Sequence, residues 1–99
     1  IFIKDVVESI LNSLTVAEKN LDINVVSGVS ISIYDLLHKI ITISGKSVHL
    51  HKRVSNHKKR DLVFDNSKLL NILLKEETDL MQGLKTEYDY MKSKYENNI

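Results

Sequence analysis

Ninety-nine residues set the scale of one domain, and 42% hydrophobic with 27% charged residues is the balance of a soluble, folded chain rather than a disordered one. The absence of cysteine excludes disulfides, thiolate metal sites and a thiol nucleophile, and fourteen Lys plus Arg against thirteen Asp plus Glu leave a net charge of +1, too even to draw the whole chain to nucleic acid. No run of about 18 apolar residues is available to span a membrane, and no basic-then-apolar opening marks a signal peptide. Proline is absent and only Gly28, Gly45 and Gly83 punctuate the chain, which favours helices.

In chain order, Ile1-Phe2-Ile3 reads as the end of a short strand, and Asp5 as the N-cap of a helix running to about Lys19. Val7, Ile10, Leu11 and Leu14 form its apolar face at i, i+3, i+4 and i+7. After a polar break at 20–22, Ile23-Asn24-Val25-Val26 is short, partly β-branched and bounded by Ser27-Gly28, as a strand would be. Ser32 with Asp35 three residues on forms a capping-box variant. It opens a helix with the stripe Ile33, Leu36, Leu37, Ile40 and Ile41, which Gly45 ends. Alternation over 47–51, with Val48 and Leu50 inward, suggests a half-buried strand, and Leu62-Val63-Phe64 another extended segment. Asp65 or Ser67 caps a helix rich in Leu69, Leu70, Ile72, Leu73 and Leu74. A last helix opens at Thr78 or Asp79, with Leu80, Leu84, Tyr88, Met91 and Tyr95 on one face. The expected order is β-α-β-α-β-β-α-α, an α/β domain spanning residues 1–99.

Three motifs with chemical potential fail on context. Ser44-Gly45-Lys46-Ser47 contains the Gly-Lys-Ser of a phosphate loop, but Ile40 stands where the first glycine belongs and the motif ends a helix instead of opening one. Tyr88 with Lys92, and Tyr90 with Lys94, have the one-turn spacing by which a lysine can lower a phenol's pKa. No Gly-x-Gly-x-x-Gly turn accompanies them to hold a nicotinamide, and a packed and solvated helix face explains the spacing. His49, His51 and His57 have no carboxylate in their segment to complete a metal site, and neighbouring cations repel a metal.

Residues 46–60 are the most informative stretch: Lys46, Lys52, Arg53, Lys58, Lys59 and Arg60 with three histidines and no acid. Nucleic-acid surfaces interleave aromatic residues with such cations, and none occurs here. The run reads equally as a solvated loop or as an anion site: an acid-free loop following a strand suits a diphosphate, because guanidinium forks bind phosphate oxygens in pairs.

From end to end the chain resembles the C-terminal domain of the extended short-chain dehydrogenase/reductase family, the NAD-dependent nucleotide-sugar epimerases and dehydratases. Ile1-Phe2-Ile3-Lys4-Asp5-Val6-Val7 looks like the family's I-[YH]-V-D-D-V-[VA], with Lys4 for the first aspartate. The run from Ile23 to Ile33 is similar to Y-N-V-G-S-G-x-x-x-S-I, departing at Val26. Gly45-Lys46-Ser47-Val48 resembles G-K-x-[VI], and Asp65-Asn66-Ser67-Lys68 resembles D-x-S-K. The run from Asp79 to Leu84, then Tyr88-Asp89-Tyr90, resembles the closing S-L-E-E-G-[LI] and x-E-W-Y. Leu74-Lys75 stands where the family has Gly-Trp, and no proline follows.

The resemblance implies a small C-terminal lobe of short strands and about four helices without the Rossmann domain. It would be a fragment of a longer cytoplasmic enzyme, in keeping with a start at Ile1 instead of Met. Such a lobe binds a nucleotide-activated sugar, while the missing dinucleotide-binding domain supplies NAD(P) and the catalytic centre. The fragment itself would then hold no cofactor, metal or catalytic residue, and would be prone to self-association. The family's R-P-G-D loop, whose arginine grips the diphosphate, corresponds best to Arg53-Val54-Ser55-Asn56, with Asn56 for aspartate; the stretch from Arg53 to Asp65 is two residues longer than in the family, which makes Arg60 the alternative phosphate ligand. The alternative expectation is a non-catalytic helical interaction domain that departs from the family at Val26, Asn56 and Leu74.

Overall fold

The computed structural model describes all residues except 18, 55, 59 and 97–99. It contains four helices, α1 (Ile3–Ser13), α2 (Ile33–Ser44), α3 (Ser67–Ile72) and α4 (Leu80–Glu96), and no strand among the described residues. The expected α/β lobe of short strands is therefore corrected to an all-helical architecture. Two compact units form, one from Ile1–Ser30 and Val63–Leu80, the other from Ile31–Leu62 and Met81–Ile99.

In the first unit, α1 starts three residues earlier than the Asp5 cap predicts. Phe2 holds the extended N-cap conformation, and its carbonyl accepts from the Asp5 and Val6 amides, so Asp5 lies inside the first turn. The helix also ends at Ser13, short of Lys19. Its last carbonyls are taken by a tightened turn and by hydroxyls: the Leu14 and Thr15 amides donate to Leu11 and Asn12, and Ser13 and Thr15 Oγ donate to Ile10 and Asn12. Such local bonds compete with continuation of the helix.

The face that α1 turns inward is its polar one. Asp5 and Ser9 are buried at 2% and 1% exposure, and Asn12 Nδ2, on the same face, donates to the Leu73 carbonyl at 2.7 Å. Ile3, Val7, Ile10, Leu11 and Leu14 remain exposed, Leu14 at 80%. This reverses the ordinary orientation of an amphipathic helix.

The apolar core of this unit is built on α3. The N-cap of α3 is Asn66, without a side-chain cap bond, instead of the expected Asp65 or Ser67; the Asp65 carboxylate accepts from the backbone amide and hydroxyl of Ser67 in a side-chain turn just before the helix. Leu69, Leu73 and Leu74 are buried, and Val16, Ile23, Val25 and Ile72 pack on them. Ile23 and Val25 thus both face this core, yet 23–26, expected to be a strand, is not one. A ladder needs a second backbone about 4.8 Å away. Here side chains satisfy the segment and its flanks: Lys68 Nζ donates to the Asp22 carbonyl (3.4 Å), Asn66 Nδ2 to Val26 (3.5 Å), and the Gly28 amide to Glu77 Oε2 (3.3 Å). The expected strand end at Ile1–Ile3 is likewise absent, since Ile3 already belongs to α1.

In the second unit, α2 forms between the residues its sequence names. Ser32 Oγ accepts from the Asp35 amide at 3.1 Å, and Gly45 takes the left-handed conformation (φ +65°) that ends the helix. The strand expected over 47–51 is absent. Lys52 Nζ lies 3.9 Å from the centroid of the Tyr34 ring in the first turn of α2, so the intervening chain retraces the helix it has just left. About 15 Å of helix separates Tyr34 from Ser44 at 1.5 Å per residue. Seven residues in extended form cover about 23 Å, more than enough for 46–52 to return to that contact without pairing with another backbone. Leu62 and Val63 are exposed and form no strand either. In α4, Leu84 and Tyr88 of the expected stripe are half-buried, while Met91 and Tyr95 are exposed.

Candidate functional site

The basic segment places its cations outward. Lys46, Lys52, Arg53, Lys58 and Arg60 are all exposed, as is Asn56, while Ser55 and Lys59 of the same run lie outside the described residues. Arg53, Asn56 and Arg60 belong to one irregular stretch of the second unit. Among the described residues no hydrogen bond ties these three to one another. Arg53 therefore does not stand at the end of a 47–51 strand, as expected, but one residue beyond the Lys52–Tyr34 contact. His38 packs edge-on against Tyr34, with ring centroids 4.4 Å apart, and His49 meets His51 at 4.9 Å. Among the described residues no three His, Cys, Asp or Glu side chains gather as a metal would require.

The other candidate motifs take structural roles. Ser44 Oγ donates to the Ile41 carbonyl and accepts from the Lys46 amide, closing the C-terminal end of α2. The carbonyl end of a helix carries partial negative charge and repels phosphate. Lys94 Nζ lies 5.9 Å from the ring centroids of both Tyr90 and Tyr95 on α4, a cation resting against two rings.

A polar frame in the first unit is the feature that sequence reading misses. Asp5 accepts two bonds from Thr78, from the amide to Oδ2 at 2.8 Å and from Oγ1 to Oδ1 at 2.6 Å. Ser9 Oγ donates to the Asp5 carbonyl at 2.7 Å. One residue before Thr78, Glu77 Oε2 accepts from the Gly28 amide and from Asn66 Nδ2 (3.1 Å), which also reaches Val26. Gly28 is required by this approach, because a Cβ there would stand 2.7 Å from Asn66 Oδ1. The only sequence signals are an acid within an apolar run at 1–7 and a glycine after a β-branched one, and neither names its partner.

Electrostatically, the hydroxyl of Ser67 and then its amide hold the Asp65 carboxyl below the ordinary aspartate value, with desolvation opposing them weakly. A groove of about 260 Å³ in the first unit is lined by Ser13, Val16, Leu21, Ile23 and Leu73. It offers no titratable group and so no acid–base chemistry. The basic segment presents its described cations to solvent. Comparison with protein-family models, curated proteins and solved structures finds no match to this chain.

Proposed function

We propose that the chain serves as the substrate-binding lobe of an NAD-dependent epimerase or dehydratase acting on a nucleotide-activated sugar, with Arg53 as the principal diphosphate ligand and Asn56 and Arg60 beside it. The observation that carries this reading is the convergence of the segments that resemble the family. Asp5 from the first, Gly28 from the second and Asn66 from the D-x-S-K run are drawn together by Thr78 and Glu77, which directly precede the last motif. In this reading the frame is scaffold, the lobe contributes substrate contacts, and NAD(P) and the reacting groups belong to a dinucleotide-binding domain.

Nucleoside-diphosphate sugars titrated into the chain and followed by amide chemical shifts test this. Perturbations are expected at 46–60, with Arg53→Ala weakening binding by about 1.5–3 kcal/mol, the range for hydrogen bonds to charged groups. Lys46→Ala, at the end of α2, has little effect. Equal losses in both variants would indicate a diffuse charge effect, and no perturbation of 46–60 at millimolar ligand rejects the reading.

The outward apolar face of α1 favours a second reading, a non-catalytic interaction domain that associates with itself or a partner. Sedimentation that remains monomeric at all concentrations counts against it.

A further inference from the structure

We propose that Tyr34 is a positioning residue for the anion site, clamping Lys52 and so fixing where Arg53 presents its guanidinium. This rests on the reading of 46–60 as a diphosphate-binding segment. Lys52 Nζ stands 3.9 Å from the Tyr34 ring centroid, well inside the roughly 6 Å at which a ring face attracts a cation. Tyr34 belongs to the first turn of a helix stopped at both ends by its own residues, Ser32 and Gly45. His38, one turn further on, packs against the ring edge and limits its rotation.

Lys46 is tied to the end of α2 through Ser44, and Lys52 rests on Tyr34 near the start of the same helix. Arg53 follows at one Cα step, about 3.8 Å, while Val54 beyond it is 99% exposed. Pre-setting the backbone next to an arginine lowers the ordering cost when an anion binds. Lys52, committed to the ring face, keeps its charge near the site without needing to reach the ligand.

The test uses the 99-residue chain with inorganic pyrophosphate as probe, comparing Tyr34→Leu, Tyr34→Phe and Arg53→Ala. The Lys52 side-chain methylenes should show upfield ring-current shifts that vanish in Tyr34→Leu and persist in Tyr34→Phe. Pyrophosphate affinity should fall about two- to fivefold in Tyr34→Leu, the equivalent of an exposed cation–π contact, and be retained in Tyr34→Phe. Helix content should be equal in all variants. Unshifted Lys52 methylenes, or full affinity in Tyr34→Leu beside a weakened Arg53→Ala, overturn the positioning role alone. Absence of pyrophosphate binding, or an Arg53→Ala variant that binds as tightly as the parent, overturns the anion-site reading and the role of Tyr34 with it.

Discussion

Replacing Asp5 by alanine removes the one acceptor that serves both the amide and the hydroxyl of Thr78. Each donor left without a partner in a buried site costs about 1–3 kcal/mol. Thr78 is only half-buried, so water reaches part of it and the lower half of that range applies to each donor. The expected loss is then about 2–4 kcal/mol, a large share of the roughly 5–15 kcal/mol that holds a domain folded. At about 4–8 °C per kcal/mol for a chain of this size, the melting midpoint should fall by about 10–30 °C.

Asp5→Asn keeps the shape and one carbonyl oxygen, gives up the charge, and should lose only about 1 kcal/mol. Thr78→Val removes the hydroxyl alone, so in the Asp5→Ala background it should cost at least about 1 kcal/mol less than in the parent. Urea unfolding followed by circular dichroism measures all four variants by linear extrapolation. An Asp5→Ala chain within about 0.5 kcal/mol of the parent, the ordinary effect of a surface substitution, or strict additivity with Thr78→Val, would refute this account of the frame.

Gly28→Ala should destabilise by about 1–3 kcal/mol, the cost of overpacking, because its new methyl meets an Asn66 amide already held by Glu77 and Val26. The loss should shrink in an Asn66→Ala background, and the same unfolding assay reads it. Carboxyl titration by NMR should place Asp65 below the ordinary aspartate value, and Ser67→Ala should move it back up. Because the folded-state pKa is the lower one, Asp65 favours the folded chain above the unfolded-state pKa, and that contribution disappears as pH falls through the folded value. A Ser67→Ala chain with an unmoved Asp65 titration contradicts this.

Where the deciding interactions lie within four residues of one another, the sequence alone settles the structure. Ser32 and Asp35 start α2, and Gly45 stops it because a residue without a Cβ enters the left-handed region freely. The acid-free character of 46–60 is equally a property of the local run. Tertiary structure decided what depends on distant partners. Segments 23–26, by its β-branched run, and 47–51, by its alternation, read as strands, but one finds α3 and Glu77, and the other returns along α2, so neither gains the second backbone that makes a strand. The periodicity of α1 specifies two opposite faces without saying which is buried. The polar one goes inward because Asp5 finds Thr78 73 residues away and Asn12 finds Leu73, and those bonds exist only once the chain has folded back on itself.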